Sequence, residues 1–333
     1  MSGIVQYASL GQPSRFQELG AGGEGRVLAL PGRQDVVFKE YFPGAATVPN
    51  QQALERLIAV RDSWTSDEKA WMNERSVWPT AAVVEGNRLR GLLMPRIPGV
   101  YYRQHGIRGN PRRVPCEWNY LALRGRFKSN PNIVSEVPQL GVDEAIDLVL
   151  DLARTMHLLH RYNIVLGDVS GRNLLWSDRP TPRVMVIDND GFRFIGSGGV
   201  ASPKQSPDWE DPFLKGKATS HDSDIFKLAL AAFRGIWSAG TDKPSPASLH
   251  STHAQSIPRE VVGLIERSTN ESSRPTAADW VGILAPLAAL KGRPSISLTP
   301  VAPATGLNPP LRQQQVVESS RPVIPVRRNP TTS

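Results

Sequence analysis

The pattern of apolar residues in this chain changes near Pro98-Gly99, and that change constrains the fold more than any other feature. Ahead of it, apolar residues run in short β-prone segments bounded by turn residues. Residues 17–41 read as strand, Gly-rich turn, strand, turn, strand, with RVLAL and VVFKEY separated by the turn cluster PGRQD. Residues 51–61 carry a helical period through Ala53, Leu57 and Val60, with Ile58 beside them. A second hairpin, AAVV and RLRGLLM, turns around Gly86-Asn87. Beyond Gly99, a polar, Arg-rich stretch over 100–135 predicts no firm element.

The period then becomes helical. VDEAIDLVLDLARTMHLLH places Val142, Ile146, Val149, Leu152, Met156 and Leu159 on one face. Asp143 and Glu144 open that helix and His157, His160 and Arg161 end it, as the helix dipole favours. Two short strands, IVLGD and RVMVIDND, come next. Residues 222–236 are apolar nearly all round, and 259–267 and 277–290 are amphipathic; Thr276 with Asp279 forms a capping box at the start of the last helix. Strands first and helices after predict an α+β chain, with a small β-rich N-lobe over 1–98 and a larger helical C-lobe over 99–291.

Residues 292–333 are rich in Pro, Ser, Thr and Gln without any period, and are expected to form a disordered tail. No apolar run approaches the roughly 20 residues needed to span a bilayer, so no membrane association is expected. The first residues lack the charged and apolar stretches of a secretory signal. Cys116 is the only cysteine, which excludes an intramolecular disulfide and suggests a reducing, cytoplasmic compartment. The net charge of +8 is spread along the chain, with no zinc spacing or aromatic RNA-binding motif, so no specific nucleic-acid partner is expected.

Gly20, Gly22 and Gly25, followed by Val27, would let a β-turn fold closely over phosphate groups through backbone N–H donors. A strand follows these glycines where a dinucleotide fold would have a helix, and no acidic ribose ligand sits at the expected spacing. Lys39, in VVFKEY, would add a compact positive charge on phosphates; without the other motifs it reads as a solvated strand lysine. Such a lysine needs an anionic partner from a helix, for which Glu55 and Glu68 are the candidates. Asp168 and Asn173 stand five apart between β-like segments, and Asp188 follows at a strand end. Phosphoryl transfer needs a carboxylate to orient a hydroxyl, which suits Asp168, and oxygen ligands for a cation, which suits Asn173 and Asp188.

This ordered set resembles the protein kinase superfamily over residues ~17–291. IDNDGF and the WP of residues 78–79 look most like bacterial protein kinases of the helix-hairpin-helix-associated type. The resemblance implies a two-lobed kinase fold, ATP with Mg²⁺ or Mn²⁺ as cofactors, and protein substrates, including the chain itself. The residues involved would be Asp168, Lys39 and Asn173 for catalysis, Gly20, Gly22, Gly25, Val27, Lys39, Glu55 and Met94 for the nucleotide, and Asn173 and Asp188 for the metal. It implies Ser/Thr as acceptor, with Tyr left open. Met94 would stand at the gate of the nucleotide pocket, Asp224 would brace the backbone before Asp168, and Arg274 would pair with Glu210 or Asp211. The sequence departs from the family at Leu166-Gly167-Asp168, where His-Arg-Asp is usual, at Ser170, where lysine is usual, and at Asp188-Asn189-Asp190-Gly191. A pseudokinase scaffold and an aminoglycoside- or choline-type kinase are the alternatives.

Overall fold

The computed structural model describes residues 3–43, 49–200, 206–214, 219–270, 272 and 274–289; the expected tail lies outside them. All described residues belong to one unit, Met1–Thr299. Strands β1 (Ile4–Gln6), β2 (Gln17–Ala21), β3 (Gly25–Leu30), β4 (Arg33–Tyr41), β5 (Ala81–Glu85) and β6 (Arg88–Pro95) form a six-stranded sheet in the order β1-β5-β6-β4-β3-β2. β1 runs parallel to β5, and every other neighbour is antiparallel.

Period-2 alternation assigns the two faces of this sheet. Phe38, Leu93 and Ala81 are in register and share one small core with Leu10, Leu28, Leu30 and Val83. The next residues along, Lys39, Leu92 and Ala82, are also in register and point the other way. There Tyr41, Leu92 and Ala82 join the main core with Leu54 and Leu57 of α1 (Gln51–Ala59) and Trp71 and Met72 of α2 (Ser66–Arg75).

Both helices are started by side-chain caps. Asn50 Oδ1 accepts from the Ala53 N–H at 3.1 Å, and Thr65 and Glu68 cap each other reciprocally at 3.2 and 2.8 Å. Trp64 and Trp78 pack between these elements with centroids 4.9 Å apart at 67°, and Trp78 Nε1 donates to the Leu57 carbonyl.

The stretch over 100–135, for which the sequence predicted no firm element, is ordered. β7 (Tyr102–Ile107) pairs with β8 (Arg112–Pro115) and β9 (Ile133–Ser135), with α3 (Trp118–Ala122) and α4 (Arg124–Ser129) between. Its arginines help build it. Arg124 donates to the carbonyls of Leu121, Leu140, Gly235 and Ile236, and Arg103 to those of Val100 and Tyr102 and to Asp178. Such bonds leave no hydrophobic period to read.

The C-terminal region is helical. α5 (Val142–Arg161) and α6 (His221–Trp237) form its centre, with α7 (Pro246–Leu249), α8 (Arg259–Ser268) and α9 (Ala277–Ala289) around them. Two short hairpin-like pairs, β10 (Ile164–Val165) with β13 (Arg193–Phe194) and β11 (Leu174–Ser177) with β12 (Arg183–Val186), lie between α5 and α6 in sequence. Asp151 on α5 ties the region together, accepting from Arg75 on α2 at 2.9 Å and from the Val184 N–H of β12 at 2.8 Å. Trp209, Trp237 and Trp280 are core residues. The architecture is mixed α+β, β-rich in its N-terminal region and helical in its C-terminal region.

Candidate active site

A cavity of about 1130 Å³ opens between the six-stranded sheet and the β10–β12 segment. Gly20, Gly22, Val27 and Lys39 line it from the sheet, Met94 from the end of β6, and Asn173 and Asp188 from the opposite side. These residues are far apart in sequence and come together because odd-numbered positions of β4 face away from the small core.

The expected glycines divide by role. Gly20 and Gly22 line the cavity, and a Cβ at either would meet open space. Gly25 lies outside the cavity lining, and a Cβ there would stand 2.1 Å from the Glu40 carbonyl. Gly25 is therefore required by the close approach of β3 and β4. The Gly22 N–H donates to the Gly25 carbonyl at 2.8 Å, which closes the turn between β2 and β3.

Lys39 is buried, and its ammonium reaches two carboxylates: Asp188, and Asp190 at 2.6 Å. Neither Glu55 nor Glu68, the partners expected from sequence, is the one it meets. Glu55 accepts from Gln51 at 2.8 Å and lines a separate cavity of about 470 Å³ with Gly3, Ile58 and Lys69. Glu68 is occupied by the Thr65 cap, by Arg161 at 3.2 Å and by the Tyr162 hydroxyl at 2.8 Å. Burial disfavours the charged lysine, but Asp190 and Asp188 outweigh it and raise the Lys39 pKa above its ordinary value. The ammonium stays charged.

Asp188 and Asp190 differ in environment. The Asp188 side chain is 45 % exposed and lines the cavity, whereas that of Asp190 is 3 % exposed. Asp190 also accepts from the Tyr41 hydroxyl at 3.0 Å, and burial together with this carboxylate raises the Tyr41 phenol well above its usual pKa. Asp188 sits at φ 63°, ψ 42°, a left-handed conformation that a residue other than glycine adopts at a cost. From the sequence, Asp190 reads as no more than an assistant to Asp188 in holding a cation. Tyr41, two residues beyond Lys39 on the same strand face, was the missed sign of an interior carboxylate.

Asp168 and Asn173 hold each other across the intervening loop. Asn173 Nδ2 donates to the Asp168 carbonyl at 2.9 Å and to Asp168 Oδ2 at 3.3 Å, leaving Asn173 Oδ1 as its acceptor atom. Asp168 Oδ1 accepts from the Ser206 N–H at 2.9 Å. Gly171 belongs to this loop because a Cβ would collide with Asn119 Oδ1 of α3, at 1.9 Å. The sequence had singled out neither residue.

Asp224 lies fully buried beneath the loop and accepts the Leu166 and Gly167 N–H groups at 2.8 and 3.0 Å. His160 Nε2 is 3.0 Å from Asp224 Oδ2, and the His221 ring stacks on His160 with centroids 4.0 Å apart. Arg274 grips Asp211 with two bonds of 2.6 and 2.9 Å; of the two partners expected for it, Asp211 is the one.

Asn173 and Asp188 offer oxygen atoms on one cavity wall, which suits a hard cation that keeps other ligands from water or phosphate. Among the described residues no group of three or more His, Cys, Asp and Glu forms a closed metal site, and no helix is long and apolar enough to cross a membrane. No family model matches this sequence, and no curated protein matches it.

Proposed function

We propose that the chain is an ATP-dependent phosphotransferase with a two-lobed, protein kinase-like fold, acting on protein hydroxyls, chiefly Ser and Thr. One observation carries the reading: a charged, buried lysine, an amide oxygen and a carboxylate from separate elements converge on one cavity whose roof holds paired glycines. The order Gly20/Gly22, Lys39, Asp168, Asn173, Asp188 along the chain, and the Asp224 and Arg274–Asp211 supports behind it, agree with the same reading.

The residues divide the work as follows. Asn173 and Asp188 would hold Mg²⁺ or Mn²⁺, and Lys39 would bind the phosphates of ATP as a fixed positive charge. The bound metal–nucleotide pair supplies the transferable γ-phosphoryl group and neutralises charge on it. Asp168 accepts a hydrogen bond from the acceptor hydroxyl at a carboxylate oxygen, orients that hydroxyl and takes its proton. Asn173 keeps the Asp168 carboxylate from turning, and Asp190 with Tyr41 keeps the Lys39 ammonium at the cavity wall. Met94 limits the depth of the cavity beside β6.

The test is transfer of labelled γ-phosphate by the purified chain to itself, to a generic protein substrate and to aminoglycoside or choline acceptors, with Asp168→Asn as control. Transfer to protein that Asp168→Asn abolishes supports the proposal. Transfer only to the small molecules selects the small-molecule kinase, and nucleotide binding without transfer selects a binding module.

A further inference from the structure

Lys227 is a fully buried ammonium on α6 that the proposed reaction leaves without a role. Burying such a group is costly unless it is paired and hydrogen-bonded. Its Nζ donates to the Gly167 carbonyl, and the charged groups facing it are Asp224, Asp168, Asp211 and Arg193. Asp224, one turn earlier on the same face of α6, takes the Gly167 N–H. A single helix therefore holds Gly167 at both its N–H and its C=O. Gly167 itself is at φ +72°, a conformation that glycine reaches freely and that the two bonds select.

The Gly167 carbonyl belongs to the planar peptide unit that it shares with Asp168. The N–H of that unit donates to the Leu166 carbonyl at 2.9 Å. With Lys227 on the oxygen, both polar atoms of the plane are engaged, and the direction in which the Asp168 side chain leaves the backbone is set. We propose that Lys227 is a positioning residue for Asp168, acting through the Gly167–Asp168 peptide plane, an inference that rests on the phosphotransferase reading. An apolar side chain would fill the same space in α6 at less cost and could not hold that plane.

Lys227→Met removes the donor, Lys227→Gln keeps a donor without the charge, and Lys227→Arg keeps both. Kinetics are measured per folded molecule, well below each melting temperature, together with amide hydrogen exchange at Gly167 and Asp168. Lys227→Met should lower kcat on the order of 10²-fold, with KM for ATP changed by less than about threefold. It should also speed exchange at both amides, and Lys227→Arg should recover part of kcat. Wild-type kcat in the folded Lys227→Met protein overturns the proposal, even with a lowered melting temperature, because that pattern belongs to a support without a positioning role. If Lys227→Met does not fold, Lys227→Ala, which also removes the donor, is held to the same criteria. If the unsubstituted chain transfers no phosphate, the phosphotransferase reading fails, and exchange alone decides for Lys227: unchanged protection at Gly167 and Asp168 overturns its hold on the plane, and faster exchange upholds it.

Discussion

The Lys39 ammonium and the Asp190 carboxylate meet 2.6 Å apart in the interior, with 9 % and 3 % of their side chains exposed. Removing one member of a buried pair leaves the other uncompensated, which costs about 3 kcal/mol or more. Asp190→Ala is expected to lower stability by less than that, about 1–3 kcal/mol measured as the urea midpoint, since Lys39 keeps Asp188 while the Tyr41 hydroxyl loses its acceptor.

Asp188→Ala should behave in the opposite way. Its carboxylate is 45 % exposed and faces the cavity, so its removal leaves the fold intact while turnover falls on the order of 10²–10³-fold. Phosphate-transfer rates beside melting curves check the contrast. Full turnover by Asp188→Ala, with Asp190→Ala folded but inactive, would move the metal ligand to Asp190.

The glycines of the β2–β3 turn provide a second contrast. Gly25→Ala puts a Cβ 2.1 Å from the Glu40 carbonyl, forcing the β3–β4 backbones apart, and is expected to cost on the order of 3 kcal/mol. Gly22→Ala meets open space and should change stability by less than about 1 kcal/mol. Parallel chemical denaturation of the two variants reads the difference.

Arg274 and Asp211 form a two-bond pair with side chains 4 % and 2 % exposed. Asp211→Ala is expected to destabilise the chain by about 3 kcal/mol, because Arg274 would lose its carboxylate and keep the Asp222 carbonyl at 2.9 Å as its hydrogen-bond acceptor. Glu210→Ala should have little effect. Thermal unfolding of both proteins separates them.

His221 makes the fold acid-sensitive. Burial first, and then the neighbouring His160, push its pKa down from 6.5 to about 4. The folded state binds its proton less readily than the unfolded chain, so the neutral ring's contribution is complete above pH 6.5. It is lost progressively as pH falls through that value toward about 4. Urea midpoints should therefore drop across this window, and His221→Asn should flatten the slope.

Periodicity made the strands around Lys39 and the long helices visible because each buries a regular stripe against one core. It failed over 100–135, where backbone carbonyls bonded to Arg103 and Arg124 replace that stripe. The spacing of Asp168 and Asn173 was legible because both act across one short loop. The partner of Lys39 was not, since a lysine on a strand can turn toward any carboxylate that the fold brings near. Glu55 satisfies the helical pattern yet faces another cavity, and Asp190 reads only as an assistant because it lies two residues beyond a more obvious aspartate. Gly171 and Lys227 carry no local signal at all: one is explained only by Asn119 and the other only by the Gly167 carbonyl.

The Trp64–Trp78 pair has an optical consequence. Indole rings 4.9 Å apart and inclined at 67° are close enough to couple their electronic transitions, and oppositely signed bands in circular dichroism are the expected outcome. Phe192, directly after the turn that carries Asp188 and Asp190, packs edge-on to Trp78 at 5.7 Å. The protein thereby carries its own chromophore against that turn, and a rearrangement of the turn registers as a change in ellipticity without any added label.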